Sequence, residues 1–178
     1  MTKTRFLFAV ACGFLIVSGC SKTGSNNSNE FKEFASAEGR FKVLMPGTPK
    51  EESQAAAGTN MKTYSLTEKE GAYMVAFADL PLPKGMKEPE IQKRLDGARD
   101  GMLSNVGGKL TNSSKITLSG KYPGREVQAT LPKQQDGLLI AKIYFVNQRL
   151  YQIMVTGTKA WAGSADATKF LDSLVVTQ

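Results

Sequence analysis

Residues 72–80 read AYMVAFADL, and this stretch decides the fold. It carries apolar side chains on both faces of an extended chain, which is typical of a strand inside a sheet. Pro81, Pro83 and Gly85 follow directly and end the strand. The stretch therefore predicts a central strand that needs neighbouring strands and cover on both faces.

The segments on either side supply further strands. Apolar and polar residues alternate in several of them, as where Phe41, Val43 and Met45 flank Lys42, and this alternation indicates one buried face. Turn residues separate the segments, which favours antiparallel pairing of neighbours. The predicted strands are residues 31–36, 40–45, 51–57, 61–67, 115–118, 125–131, 138–146 and 150–156.

A long helix is predicted between the two groups of strands, from Pro89 to residue 106. Five apolar side chains share one of its faces, and Gly107 with Gly108 provides a left-handed stop. Gly97 and Gly101 weaken the helix by about 1 kcal/mol each relative to Ala, and we interpret them as permitting close approach to the sheet. The five apolar residues are Ile91, Leu95, Ala98, Met102 and Val106.

A second helix is predicted over residues 164–174, with Ser164 as its cap and an apolar face that includes Phe170 and Leu171. Strands with helices between and after them predict an α+β domain in which an antiparallel β-sheet packs with helices.

The N-terminal residues have the parts of an export signal. Lys3 and Arg5 precede a short apolar stretch at residues 6–17, which is too short to span a bilayer. Val17-Ser18-Gly19-Cys20 resembles the lipobox of bacterial lipoproteins. That resemblance implies that Cys20 receives a diacylglyceryl group and becomes the first residue after cleavage. An ordinary signal peptide with a chance cysteine is the alternative.

Three regions follow from this reading. Residues 1–19 are the predicted lipoprotein signal peptide, residues 20–30 the lipidated N-terminus with a polar flexible tether, and residues 31–178 the α+β domain. As a random coil, the tether would span on average about 17 Å. By resemblance to lipoproteins of two-membrane bacteria, Ser21 favours the periplasmic face of the outer membrane if the host has two membranes.

Composition excludes several kinds of chemistry. The chain has no histidine, which removes the commonest general base and metal ligand. Cys12 leaves with the signal and Cys20 carries lipid, so the domain has no disulfide and no free thiol. The sequence predicts no metal site, no cofactor and no catalytic residues. The formal charge of +7 falls to +5 when Lys3 and Arg5 leave with the signal. It is spread along the chain, which indicates a solvated surface, with attraction to an anionic membrane or polymer as the alternative. Because the chain is exported, no nucleic-acid partner is expected.

Carboxylates are the remaining catalytic candidates. Glu90, Asp96 and Asp100 lie on the predicted long helix, where we expect Glu90 to pair with Arg94 on a solvated face. Two carboxylates facing each other across a cleft would instead suit a glycosidase. Asp79 ends the central strand, where a carboxylate can line a site or cap a loop.

Candidate partner-binding residues cluster at two predicted turns and one loop. Lys121, Tyr122 and Arg125 belong to one turn, while Arg149 and Tyr151 belong to another. If these turns meet at one end of the sheet, they form a basic patch suited to an acidic partner; scattered charges at hairpin ends are the alternative. In a glycine-rich loop, Trp161 either closes over the core or presents a binding surface.

Several motifs together resemble the PsbP-like superfamily, which includes DcrB-type bacterial lipoproteins. They are Phe-x-x-x-x-Gly-Arg-Phe-x-Val-x-x-Pro at 34–46, the long middle helix, Gly-Arg-Glu at 124–126, Arg-Leu-Tyr at 149–151 and Lys-Phe-Leu-Asp-Ser at 169–173. The resemblance covers residues 31–177 and implies an α/β/α sandwich, an antiparallel sheet between helices. PsbP itself is a metal-influenced assembly factor. Because histidine is absent here, no metal site is carried over.

Three functions remain open at this point. The first is a membrane-anchored, non-catalytic binding or assembly accessory in the cell envelope, with an envelope protein as its possible partner. The second is a lipoprotein that binds a small ligand or an ion in a pocket between sheet and helix. The third is a carboxylate-dependent hydrolase that acts on envelope polymers.

Overall fold

The computed structural model describes residues 30–56, 59–80, 83 and 85–177. Among these residues strands dominate, and three helices accompany them. In chain order the elements are β1 Lys32–Ser36, β2 Phe41–Met45, β3 Lys50–Ala56, β4 Thr59–Thr67, β5 Gly71–Asp79, α1 Glu88–Val106, β6 Lys109–Leu118, β7 Tyr122–Leu131, β8 Gly137–Val146, β9 Arg149–Thr158, α2 Lys159–Ala162, α3 Ala165–Leu171 and β10 Val175–Val176.

Seven strands form one antiparallel sheet in the order β3-β4-β5-β9-β8-β7-β6. The predicted central strand, β5, pairs with β4 on one side and β9 on the other. Most of its side chains are buried on both faces, as the apolar sequence predicted. The α+β class with an antiparallel sheet and packed helices is confirmed.

One face of this sheet is covered by a second, smaller sheet and by α3. β1, β2 and β10 form the small sheet, whose Phe41, Val43 and Met45 are buried. Phe170 from α3 packs against Tyr73 of β5 with ring centroids 5.1 Å apart. Large aromatic and aliphatic side chains of this kind supply most of the energy of a core.

The other face of the sheet is covered by α1. Leu95, Met102 and Leu103 are buried there against side chains of β7, β8 and β9. Pro89 lies in the first turn, and Gly107 ends the helix with φ +65°. α1 packs mainly on β7 and β8. One helix is too narrow to cover seven strands, so β3, β4 and β5 keep an open face on this side.

Four expectations differ from the structure in detail. The small sheet with β10 replaces part of the predicted helical layer. β6 begins at Lys109 and not at the predicted residue 115. Its first half was missed because it is a polar, solvated edge strand without alternating apolar residues. Residues 122–124 belong to β7 instead of a turn. Trp161 lies in the short helix α2 instead of a loop.

Candidate functional site

A large groove runs between α1 and the open half of the seven-stranded sheet. Its volume is about 1390 Å³. That exceeds the roughly 300–1,000 Å³ of pockets for drug-sized ligands. The lining residues come from β3, β4, β5, β8, β9, α1 and the loop before α1. The helix forms one wall, and the sheet forms the floor.

Strand register arranges the floor in three rows. In the middle row, Thr63 and Gln152 flank the small side chain of Ala76. Met74 and Met154 are paired directly in the next row. On the other side of the middle row, Met61 and Leu150 flank Ala78. On β4, β5 and β9 the floor therefore carries two polar side chains between two apolar rows. On β3, Glu52 continues the Thr63 row and Gln54 continues the Met61 row with further polar groups.

Methionine is concentrated in this groove. Five of the seven methionines of the chain line it. Their unbranched thioether side chains adapt to irregular apolar surfaces, and protein surfaces that bind varied apolar partners use methionine for this reason. The five are Met61, Met74, Met86, Met102 and Met154.

Two glycines widen the groove on its helical side. Gly97 and Gly101 both line it, and a Cβ built on either one would meet no atom within 4 Å. The expectation that they permit close packing on the sheet is therefore wrong. They face open space, since the helix packs on the sheet through its opposite stripe, with Leu95 and Leu103.

Charged residues line the helical rim. Glu90 does not pair with Arg94 as predicted; instead its Oε2 accepts a hydrogen bond from the backbone N–H of Lys87 at 3.2 Å. On the sheet side of the groove, Glu52 of β3 forms an ion pair with Lys50. Lys93 and Arg94 are exposed and form no ion pair with any residue in the described ranges. The rim thus presents two exposed cations without an ion-pair partner in the described part of the chain.

A second concave site lies at one end of the sheet. Its volume is about 710 Å³, and both predicted patch turns contribute to it. Arg149 holds Asp79 through two hydrogen bonds of 2.6 Å, and its third nitrogen donates to the carbonyl of Glu38. These bonds lower the pKa of the Asp79 carboxyl and raise that of Arg149. The guanidinium is fixed by its neighbours in a defined orientation.

The predicted patch is brought together in part. Lys121, Tyr122, Arg149 and Tyr151 line the second site, and Arg40 joins them from the β1–β2 turn. The Lys121 ammonium lies 5.0 Å from the centre of the Tyr122 ring. The buried Tyr151 hydroxyl donates to the carbonyl of Gly39 at 2.7 Å, and burial raises its pKa. Whether these residues bind a partner stays a prediction.

The other two candidates lie elsewhere. Arg125 is 7% exposed beneath α1, where its guanidinium pairs with Asp96 at 2.9 Å. It lies on the opposite face of β7 from the patch's aromatic side chains. Trp161 packs on Tyr73 with centroids 4.8 Å apart, and its indole N–H donates to Glu68. This position favours the interpretation that Trp161 closes over the core.

The catalytic carboxylate candidates are all engaged in structural bonds. Asp79 is held by Arg149, and Glu90 bonds the first turn of α1. Asp96 pairs with Arg125 and Arg99, while Asp100 pairs with Arg99. The bond from Arg99 lowers the pKa of Asp100. A glycosidase needs one carboxylic acid with a raised pKa. The pKa values of Asp79 and Asp100 are instead both lowered.

Other site predictions can be placed only in part. Cys20 and the signal lie outside the described residues. Within the described ranges, no group of three or more carboxylate, thiol or imidazole side chains is arranged to hold a metal ion. None of the helices in that part of the chain combines the length and hydrophobicity that crossing a membrane requires.

Comparison with solved structures identifies the architecture. The solution structure of cyanobacterial PsbP (CyanoP) from Synechocystis sp. PCC 6803 aligns with a TM-score of 0.60 at 9% identity, covering 88% of this chain and 98% of that one. The fold is PsbP-like. At this identity, the likeness concerns the fold alone.

A second solved structure is more distant. It is a protein of unknown function from Pseudomonas aeruginosa, described as a putative regulator, and it aligns with a TM-score of 0.42 at 12% identity over 78% of this chain and 90% of that one. No protein-family model matches the chain, and no curated protein matches it either.

Most of the groove residues were not singled out by the sequence. Met61, Met74 and Met154 lie on separate strands and look like ordinary core positions one at a time. The available signal was the pair Gly97 and Gly101, four residues apart in the interior of a helix, where only proline is a poorer helix former than glycine. Glycine lowers helix stability, so two glycines in one helix indicated that something other than helix stability favours them. In the structure, both face the open space of the groove.

Proposed function

We propose that this chain is a lipid-anchored, non-catalytic protein of the cell envelope that binds an apolar ligand in the groove between α1 and the sheet. The observation that carries the proposal is a groove of about 1390 Å³ with five methionines in its lining. Exposed apolar surface of this extent costs free energy in water, and it is retained where a ligand or partner covers it.

The non-catalytic part of the proposal rests on the state of the candidate acids. Each of the four has a cationic or backbone partner that fixes it within the fold. The envelope location rests on Cys20 and its resemblance to a lipobox, with the periplasmic face of the outer membrane as the proposed site in a host with two membranes.

A neutral apolar dye tests the groove directly. The mature chain, residues 20–178, carries Cys20→Ala so that no detergent is needed, and N-phenyl-1-naphthylamine is titrated while its fluorescence is recorded. Gly97→Leu with Gly101→Leu places two side chains into the groove, so we expect dye affinity to fall about tenfold or more. Ser104→Leu adds the same side chain on an exposed position of α1 outside the groove.

The comparison with Ser104→Leu separates occlusion from a general effect on the helix. Equal dye affinity in the double glycine variant and in the parent would refute groove binding. Circular dichroism of each variant checks that α1 is intact before the titrations are compared.

A second candidate function is assembly with an acidic envelope protein through the basic end of the sheet. The meeting of Lys121 and Arg149 in one concave site, from turns far apart in sequence, favours it. Lys121→Glu with Arg40→Glu reverses two charges without breaking the Arg149–Asp79 pair. Loss of a crosslinked partner in this variant, but not in Lys69→Glu, would support assembly; an unchanged crosslinking pattern would reject it.

A further inference from the structure

The exposed cations that line the groove lie on one side only, along the rim of α1. Lys93 and Arg94 are exposed, and no described residue forms an ion pair with them. Two acids also line the groove. Glu52, on β3, is ion-paired with Lys50, whereas Glu90, on α1, accepts a hydrogen bond from a neutral backbone N–H in the first turn. An occupant that complements this rim has a negative charge next to an apolar body.

The polar row of the floor adds hydrogen-bonding capacity inside the groove. Thr63 and Gln152 are partly exposed, and their side chains have no hydrogen-bond partner among the described residues. Both side chains have donors, which suit the oxygen atoms of a phosphate or an ester. An entirely apolar occupant would leave these groups unsatisfied and would be penalised for covering them.

The length of the groove can be compared with that of an acyl chain. From Arg94 to Val106, α1 rises by about 18 Å at 1.5 Å per residue. One leaflet of a bilayer core is about 15 Å thick, half of about 30 Å. A single acyl chain therefore fits along the wall beside Gly97 and Gly101 with its head group at the basic rim.

One chain is favoured over two because the groove is open to solvent. Each methylene removed from a bilayer costs free energy, so a lipid with two chains leaves its membrane far less readily than one with a single chain. A groove that covers the occupant on two sides only can compensate for one chain, which already exchanges reversibly with membranes.

We infer that the groove binds an anionic single-chain phospholipid, with its acyl chain on the methionine floor and its phosphate head group at Lys93 and Arg94. This inference rests on the proposed function, since it names the ligand class of the same groove. A protein anchored at Cys20 with a short tether would meet such lipids at its own membrane.

The test uses two lipids that share one acyl chain and differ in head-group charge. Palmitoyl-lysophosphatidylglycerol is anionic, and palmitoyl-lysophosphatidylcholine is zwitterionic. Both are titrated below their micellar concentrations against the mature Cys20→Ala chain, with displacement of N-phenyl-1-naphthylamine as the signal. We expect the anionic lipid to bind about tenfold more tightly. Lys93→Gln with Arg94→Gln should abolish that difference.

Matched controls separate local from general electrostatics. Lys69→Gln with Lys133→Gln removes two exposed cations outside the groove, and it should leave the preference for the anionic lipid unchanged. Equal affinity for both lipids, or tighter binding of free palmitate than of the anionic phospholipid, would overturn the inference. In either case, dye binding that depends on Gly97 and Gly101 would still support the proposed function, whereas its absence would remove both.

Discussion

At the scale of single residues, the pair between Asp96 and Arg125 gives an asymmetric prediction. Arg125 is buried, its Nε has no partner among the described residues, and the Asp96 side chain is 39% exposed. Asp96→Ala leaves a buried cation without its counter-charge, so we expect the free energy of unfolding to fall by about 2 kcal/mol, less than for a fully buried pair because of solvent screening.

The reverse deletion should cost less. Arg125→Met leaves Asp96 partly solvated and still paired with Arg99 at 2.9 Å, so a loss below about 1 kcal/mol is expected. Urea unfolding followed by fluorescence of Trp161, the single tryptophan, measures both variants. Asp100→Ala serves as the control, since Arg99 is the one ion-pair partner of Asp100 among the described residues and the pair lies at the surface. Equal losses for the two main variants would contradict the asymmetry.

The pair between Asp79 and Arg149 gives a pH-dependent prediction. The guanidinium of Arg149 lowers the pKa of the Asp79 carboxyl in the folded state. Its contribution to stability is therefore present above the unfolded-state pKa, near 3.8, and is lost as the pH falls through the folded-state pKa. Because the Asp79 side chain is 68% exposed, Asp79→Asn should cost at most about 1 kcal/mol at pH 7.

Measurement at two pH values isolates that contribution. The difference in unfolding free energy between the parent and Asp79→Asn should shrink between pH 7 and pH 3. Glu70→Gln, an exposed acid without an ion pair in the described part of the chain, should not show this narrowing. A difference that stays constant with pH would mean that the loss comes from packing and not from charge.

At the scale of elements, glycines of α1 and β7 should respond oppositely to substitution. Gly97→Ala and Gly101→Ala place a methyl group in open space and remove a helix-weakening residue, so each should stabilise the chain by about 0.5–1 kcal/mol. Gly124→Ala in β7 should destabilise it, since the new Cβ would overlap the Tyr144 ring and lie 2.7 Å from the carbonyl of Ile143. Urea unfolding checks both signs; destabilisation by Gly97→Ala would show that the helix wall packs more closely than described.

The elements themselves were largely predictable from local patterns. β5 and α1 were found within a residue or two, because their apolar runs, prolines and glycines act over short distances. Ser164 caps α3 by accepting the N–H of Ala167, as its sequence position predicted. The first half of β6 and the strand β10 were missed, since each is held by pairing with distant residues and carries no apolar period of its own.

The groove was not predictable in the same way. Its floor depends on the strand order β4-β5-β9. This order places Met61 next to Ala78, and Ala78 next to Leu150. Local sequence does not encode which strands become neighbours, nor which half of the sheet a single helix covers. The basic end of the sheet was predicted in part, since Lys121 and Arg149 do line one site. Arg125 is instead buried on the inward-facing side of β7. Successive residues of a strand point to opposite faces, so an error of one residue in the predicted strand reverses which side chains are buried.

At the scale of the whole molecule, the seven-stranded sheet lies between β1, where the described domain begins, and the groove. β1, the first strand, belongs to the small sheet on one face, and α1 with the groove lies on the other. The predicted tether would average about 17 Å as a coil, nearly two interlayer spacings of about 10 Å, so we expect it to let the groove face the membrane. Anchoring and ligand uptake are therefore compatible in one molecule.

The anchor itself is tested by labelling. Cells that express the full chain are fed an alkyne analogue of palmitate, and the purified protein is coupled to a fluorophore. We expect the label on the parent and on Cys12→Ala, since Cys12 lies within the predicted signal, and no label on Cys20→Ala, whose precursor should accumulate uncleaved. A parent that is cleaved but unlabelled would instead show an ordinary signal peptide. The chain would then be free of the membrane, and the groove would have to take its lipid from solution, where the free monomer of a single-chain anionic lipid does not exceed its critical micellar concentration.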